Sequence, residues 1–258
     1  PDMKQVAVFD TAIHQTMPPK AYLYGLPKEQ YTTHKIRRYG FHGTSHGYVA
    51  RKAAEELGKP LEELKVVTCH LGNGGSIAAF KDGKSIDTSM GLTPLAGILM
   101  GTRSGDLDPY IPLHLMQTQD MSIAEVGSLM NKQGGLLGLS GKRDMRDVMD
   151  GYRKGYEGCI DAIEKFVYEI QKYIGSYAAA MNGVDCIVLT AGVGENERTV
   201  RAKILDSFDY LGLVFDAEAN ENHGPLITKP ESKVAAVVVH TDEEKVIAAD
   251  TFEILKDL

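Results

Sequence analysis

Cysteine is nearly absent from this chain: Cys69, Cys159 and Cys186 are odd in number, far apart and without a Cys-x-x-Cys pair. That pattern fits small buried thiols in a reducing compartment. No apolar run approaches the roughly 18 residues that a membrane-spanning helix needs, and the first residues do not read as a signal peptide. A cytoplasmic protein without a membrane partner is the expectation. Basic blocks are missing as well. The formal net charge is −7, and the aromatic residues do not interleave with lysine or arginine, which argues against a nucleic-acid surface. An anionic substrate would have to be held by a few local cations. No low-complexity linker or internal repeat divides the sequence.

What is present reads as an ordinary globular chain. Of its 258 residues, 43% are hydrophobic and 24% charged, enough for one substantial core or two small ones. Val6 to Phe9 is a short apolar run of strand type, close behind a first residue that is not methionine, so the sequence is expected to begin partway through a longer protein. Ser45 to Leu57 is predicted helical, with Ser45 as cap and Gly58-Lys59-Pro60 as stop. Three strands are expected at Lys65–Leu71, Ser76–Lys81 and Ser85–Thr88, the last two joined by a tight Asp82-Gly83 turn. Met90 to Tyr156, rich in glycine and methionine, reads as an insertion with short helices such as Ile123–Asn131. Apolar residues from Ile163 to Met181 recur at helical spacing, so Cys159–Asn182 is a long core-facing helix. Asp185–Leu189 and Lys233–His240 read as buried strands, with helices at Asn196–Leu211 and Glu243–Lys256. The order gives an α/β fold with a mixed sheet.

The segment Gly101-Thr102-Arg103-Ser104-Gly105-Asp106 carries the strongest chemical signal, since it sets one arginine among small residues where its guanidinium could reach a phosphoryl group. Asp10, His42, the loop His70-Leu71-Gly72-Asn73-Gly74 and the loop Gly192-Val193-Gly194-Glu195-Asn196 supply partners. Gly72 and Gly74 let backbone amides approach phosphate oxygens without a Cβ in the way, and Asn73 adds a side-chain donor. Together they point to phosphoryl transfer, which depends on positioning and charge neutralisation more than on a covalent nucleophile. Plainer readings compete. A lone arginine in a glycine-rich loop is usually a solvated surface residue. His42 and His46 are spaced like metal ligands, but no third ligand follows and a structural role for His46 is favoured. Gly83-Lys84-Ser85 imitates the end of a Walker loop, yet Ala78 stands where its first glycine is required. Gly74-Gly75-Ser76 lacks the nucleophile-elbow pattern.

Val8 to Ala12, Gly40 to His46, His70 to Gly74, Met100 to Asp106, Gly192 to Asn196 and Thr241 to Glu244 together resemble the acetate kinase family, in order and nearly end to end. The resemblance implies an actin-like ATPase (ribonuclease H-like) α/β domain with a mixed sheet and a helical insertion at about residues 90–156. It implies that the chain corresponds to the carboxy-terminal part of that family. Residues 1–14 would then be the last strand of a missing amino-terminal half, 15–241 the actin-like domain, and 242–258 a terminal helix that packs on the missing half. The implied activity is reversible transfer of the ATP γ-phosphoryl group to acetate, giving acetyl phosphate and ADP, with propionate or butyrate as alternative acceptors. A non-catalytic nucleotide-binding and dimerising half is the competing reading.

By the same resemblance Arg103 and His42 stabilise the transition state, and Asp10 matches the active-site aspartate. A carboxylate acceptor is already ionised at pH 7, so no general base is required. Asp10 is therefore assigned to organising Mg²⁺ waters or orienting Arg103. His70, Leu71, Gly72, Asn73 and Gly74 match the phosphate-binding segment, Asp144, Met145 and Arg146 a nucleotide contact, and Gly192, Val193, Gly194, Glu195 and Asn196 the adenosine-side loop. Glu243 matches a magnesium-binding glutamate, an oxygen ligand suited to a hard cation. The resemblance implies a homodimer formed through this part of the chain. Val246, Ile247, Phe252 and Ile254 are expected to lack cover, inviting self-association.

Overall fold

Five strands form one sheet in the order β3-β2-β1-β4-β5, at the centre of a computed structural model that describes residues 3–256. The strands are β1 (Val66–Leu71), β2 (Gly75–Lys81), β3 (Lys84–Thr88), β4 (Cys186–Thr190) and β5 (Ala235–Val238). β1, β2 and β3 run antiparallel in sequence, while β4 and β5 lie parallel to β1. The mixed sheet of an α/β domain is as expected. Residue periodicity explains why both faces are covered, because successive side chains of a strand point to opposite sides. Val67, Cys69, Leu71, Ile187 and Leu189 share one large core with the apolar stripe of the long helix. Val66, Ala78, Phe80, Cys186 and Val188 join Val49, Ala50, Ala53 and Ala54 in a second, smaller core on the other face.

Before the sheet come α1 (Pro19–Tyr22), α2 (Lys28–Thr32) and α3 (Gly43–Glu56). α3 begins two residues earlier than expected and is not capped by Ser45. His42 occupies the cap position in the left-handed region, with φ 54°, and the Asp10 carboxylate supplies the capping oxygens. Between β3 and the long helix lie α4 (Ile111–Thr118), α5 (Ile123–Lys132), α6 (Gly135–Ser140) and α7 (Met145–Arg153). α5 starts with a capping box, in which Ser122 and Glu125 satisfy each other's end of the first turn. α8 (Glu157–Met181) buries Ile163, Phe166, Ile170, Ile174 and Met181 on one face and stops at Asn182, itself left-handed.

Two further expectations fail. Val6–Phe9 is not a strand: residues 3–9 have no regular structure, because no sheet edge lies alongside to complete a ladder. Ala7, Val8 and Phe9 instead share a hollow with Asp250, Glu253 and Ile254. The helix expected at Asn196–Leu211 is broken. α9 (Ala191–Asn196) ends and α10 (Arg198–Leu205) begins at Glu197, whose φ of −94° and ψ of 89° are not helical. A 3-10 turn at Asp209–Leu211 then closes on Gly212 at φ 83°. α11 (Ala217–Glu221) was not foreseen, and α12 (Glu243–Lys256) ends the described chain. Every residue of α12 is at least partly exposed, Phe252 and Ile254 strongly so.

Candidate active site

The carboxyl ends of β1 and β4 and the first turn of α3 meet at one edge of the sheet, where ligands of open α/β sheets bind. Asp10 organises that first turn. Its Oδ2 accepts the His42 N–H at 2.6 Å, its Oδ1 accepts the Thr44 N–H at 3.3 Å and the Thr44 hydroxyl at 3.1 Å, and its carbonyl accepts the Gly43 N–H at 2.8 Å. A carboxylate at a helix start satisfies orphan donors and opposes the helix dipole. The Thr44 hydroxyl also lies 3.2 Å from Glu243 Oε2, which brings the carboxylates of Asp10 and Glu243 onto one group although they are far apart in sequence.

His42 projects from this turn towards the loop after β1. Its Nδ1 lies 2.8 Å from Ser76 Oγ, and its ring stacks on His70 at 4.2 Å between centroids and 20° between planes. His70 Nδ1 meets Ser45 Oγ at 2.8 Å, which explains where the expected cap residue is spent. Burial depresses the basicity of His42, with the Asp10 charge opposing and the Arg103 charge adding to the effect. Burial likewise takes His70 down to about 3. Both imidazoles are neutral at pH 7.

Arg103 reaches the same place from the other side. Its Nη1 donates to Pro94 O at 3.1 Å and contacts Met100 Sδ at 3.6 Å, and among the described residues no carboxylate pairs with it. A Cβ on Gly74 would sit 3.4 Å from Arg103 Nη1 and 3.5 Å from His42 Nε2. The guanidinium, the imidazole and the glycine therefore face one small volume. The loop between them is pinned: Gly72 N–H donates to Gly74 O, and Gly101 N–H to Asn73 O.

Gly72 and Asn73 also line a cavity of about 550 Å³ with Gly101, Arg143, Asp144, Met145, Arg146, Gly192, Val193 and Asn196. Eight of those ten were expected to bind nucleotide from sequence. Asp144 caps α7 and holds Arg146 bidentately, with oxygen to Nε 3.0 Å and to Nη2 2.7 Å. That pairing pulls its carboxyl down to about 2. On the other wall Ala191 adopts φ 63°, a conformation a non-glycine residue holds only when its surroundings fix it. Glu195 does the fixing. Its Oε1 accepts from Ala191 N at 2.9 Å and Thr241 N at 3.1 Å, and its Oε2 meets His240 Nδ1 at 2.8 Å.

Not every expected nucleotide contact faces the cavity. Leu71 is fully buried in the large core, leaving only its backbone available. Gly194 packs on Leu189, and Glu195 is engaged in the clamp just described. Thr44, Ser76 and Arg201 escaped the sequence reading. Arg201 is wholly buried and donates to Asn220 Oδ1 and to the carbonyls of Gly194, Glu195 and Asn220, holding the end of α9. No cluster of three or more metal-ligating side chains occurs among the described residues. The pair Asp10 and Glu243 nevertheless suits a magnesium ion, which takes one or two carboxylates and completes its shell with water and phosphate oxygens.

The acetokinase family model matches residues 1–249. An acetate kinase from Carboxydothermus hydrogenoformans is 55% identical over 99% of this chain and 65% of its own length, and one from Thermotoga maritima is 53% identical over 100% and 66%. The chain thus spans about two thirds of the length of the curated relatives it matches. In crystal structures, the acetate kinase of Porphyromonas gingivalis superposes with a TM-score of 0.93 and 48% identity, covering 96% of this chain and 63% of that one. A propionate kinase from Francisella tularensis gives 0.89 and 44%, covering 93% and 62%.

Proposed function

This chain belongs to the acetokinase family, and on that premise we propose that it carries the nucleotide cavity and most of the phosphoryl-transfer groups of a kinase acting on a short carboxylate. The reaction is reversible transfer of the γ-phosphoryl group of ATP to acetate, giving acetyl phosphate and ADP. One observation supports it above the others: Arg103 Nη1 and His42 Nε2 face the same point over Gly74, next to a cavity of about 550 Å³ lined by Gly72 and Asn73. A nucleotide in that cavity would direct its phosphates along the loop towards Arg103.

The acceptor is ionised at neutral pH, so the chemistry needs charge neutralisation and alignment and no base. Arg103 offers a permanently charged fork for the equatorial oxygens, and His42 completes the polar wall beside it. Asp10 holds the backbone of His42 and Thr44, which fixes the turn that carries the imidazole. Asp10 and Glu243 are the residues that would hold Mg²⁺, and when bound the ion would neutralise phosphate charge. A cytoplasmic homodimer formed through this part of the chain is part of the same reading. Residues 15–241 are taken as the actin-like domain, with 1–14 and 242–258 packing on the portion of the family's length that lies outside the match.

Two further readings have support. Similarity to a propionate kinase keeps propionate and butyrate as acceptors. The exposed face of α12 favours a chain that binds nucleotide and self-associates without normal turnover by itself. Acyl phosphate formation from acetate, propionate and butyrate, measured on this chain and on a chain of full family length with and without Arg103→Ala, tests all of them. Undiminished turnover in the arginine variant would overturn the proposal.

A further inference from the structure

Asp10 and His14, one just before and one within the 3-10 turn Ala12–Thr16, reach the same peptide unit. Asp10 Oδ2 accepts the His42 N–H at 2.6 Å, and His14 Nε2 lies 3.1 Å from the carbonyl oxygen of Phe41. Those two groups are the opposite ends of one planar peptide. No other group among the described residues donates to Phe41 O. His14 is itself anchored away from the cleft. Its Nδ1 is 2.9 Å from Ser85 Oγ on β3, the Thr16 hydroxyl donates to Ser85 O at 2.7 Å, and both His14 and Ser85 are inaccessible to solvent. The ring comes this close because residue 40 is glycine: a Cβ on Gly40 would stand 2.7 Å from His14 Cδ2 and 2.4 Å from Thr88 Cγ2.

A carbonyl oxygen only accepts, so His14 Nε2 carries the proton and Nδ1 is a lone pair that accepts from the Ser85 hydroxyl. Burial lowers His14 to about 4, which leaves the ring neutral at pH 7 with this single N–H. The grip on the peptide has a consequence for His42. A peptide unit turns most easily about the line joining its two Cα atoms, which changes ψ of the residue before it and φ of the residue after it. Here the φ after it is that of His42, 54°, in the left-handed region that residues with a Cβ avoid unless their surroundings hold them there. Asp10 holds the N–H end of the unit and His14 the carbonyl end.

We propose that His14 is a positioning residue: its Nε2–H, together with the Asp10 carboxylate, holds the Phe41–His42 peptide so that His42 stays left-handed and its imidazole faces the cleft over Gly74. His14 lines neither the cavity beside Gly72 nor the volume over Gly74, and it acts through His42. The inference deepens the proposed phosphotransferase site and rests on that reading for its catalytic meaning, while the tautomer and the backbone geometry belong to the chain whatever the reaction.

Glutamine and asparagine divide the two bonds of His14 between them. The amide nitrogen of glutamine stands near the place of imidazole Nε2, so His14→Gln keeps a donor for Phe41 O and gives up Ser85. Asparagine is one carbon shorter, so His14→Asn reaches Ser85 and gives up Phe41. Both remove the ring from the core, and loss of packing is common to them. In ¹⁵N-histidine NMR of this chain at pH 7.5, His14 is expected to show a protonated Nε2 and an unprotonated Nδ1. The Cα and Cβ shifts of His42, which report its left-handed φ, and its ring signals should match the parent in His14→Gln and move in His14→Asn. In a chain of full family length, His14→Asn should lower kcat by about 10²-fold, the cost of misplacing a reacting group by about 1 Å, with KM for ATP within about twofold of the parent. His14→Gln should restore kcat to within about threefold of the parent. A protonated Nδ1 on His14 in the unaltered chain, unmoved His42 signals in His14→Asn, or equal losses of kcat in the two variants would overturn the proposal. If His14→Asn does not fold, His14→Gln decides alone: displaced His42 signals in the folded glutamine variant overturn the proposal, and parent-like signals support it. Failure of the kinase reading is distinguishable, since it would appear as absent acyl phosphate from the unaltered full-length chain with the NMR pattern as stated.

Discussion

Asp10 holds His42 by its backbone: Oδ2 accepts the His42 N–H at 2.6 Å while the same residue's left-handed φ of 54° turns the imidazole into the cleft. The carboxylate matched to the active-site aspartate also acts as a helix cap and a conformational clamp. Asp10→Ala removes the acceptor for three donors and should cost about 1–2 kcal/mol of stability together with most of the turnover. Asp10→Asn keeps an acceptor and should recover the greater part of the stability. Urea melts of the two variants beside initial rates separate the roles. Equal destabilisation by Asn and Ala would remove the capping account.

Buried neutral histidines make the fold sensitive to acid. His14 is lowered to about 4 and His70 to about 3, chiefly by burial, against about 6.5 in an unfolded chain. Between those values the unfolded state binds more protons than the folded one, so stability rises with pH. The contribution is complete above pH 6.5 and is lost as pH falls towards 4 and 3. At pH 5 each of the two has lost about 2 kcal/mol relative to neutral pH, and His46, pushed further down by full burial, adds to the loss. Denaturation midpoints from pH 7.5 to 5 should fall steeply, and His14→Gln should flatten the curve. A pH-independent midpoint over that range would contradict the buried neutral cluster.

Sheet strands, the long α8 and the glycine loops were legible because each is written in local pattern: alternation, helical spacing or a glycine pair. The parts that were not legible depend on partners remote in sequence. Ser76 meets His42 34 residues away, and the Thr44 hydroxyl meets Glu243 199 residues away. Nothing near Thr44 or Ser76 marks them as more than an ordinary helix residue and strand residue. Val6–Phe9 misled for the opposite reason. Its local pattern is that of a strand, but strands are completed by neighbours, and here none is alongside. Glu197 likewise breaks a helix whose apolar spacing continues through it, because Arg201 needs the carbonyls of Gly194 and Glu195 free at that end.

Arg201 braces one wall of the cavity beside Gly192 and Asn196 without lining it. It is fully buried, bonds to no carboxylate, and gives its protons to Asn220 and to the end of α9. Arg201→Met fills similar space but orphans several buried acceptors, each costing about 1–3 kcal/mol. A loss of about 3 kcal/mol or more is expected, with weakened ATP binding in whatever fraction remains folded, read by thermal melts with and without nucleotide. Retention of wild-type stability would show that the carbonyls find other donors.

Gly74→Ala isolates the transfer site from the fold. The added methyl carbon would stand 3.4 Å from Arg103 Nη1 and 3.5 Å from His42 Nε2, ordinary contact distances that require little movement of either. The backbone there is not left-handed, since Gly74 is not among the glycines with positive φ, so alanine carries no strain of its own. Stability should change by less than about 1 kcal/mol. The methyl nevertheless occupies the volume that the guanidinium and the imidazole face, which is where the proposed reaction would place the transferred oxygens. Misplacement of that group by about 1 Å costs on the order of 10²-fold in rate, so turnover should fall by about that factor while ATP still enters the cavity lined by Gly72 and Asn73. A melting temperature within a few degrees of the parent, unchanged nucleotide affinity and a hundredfold slower reaction is the expected pattern. Unchanged turnover would mean that the phosphoryl group passes elsewhere, and loss of nucleotide binding in step with turnover would place the phosphates, not the transfer, at Gly74.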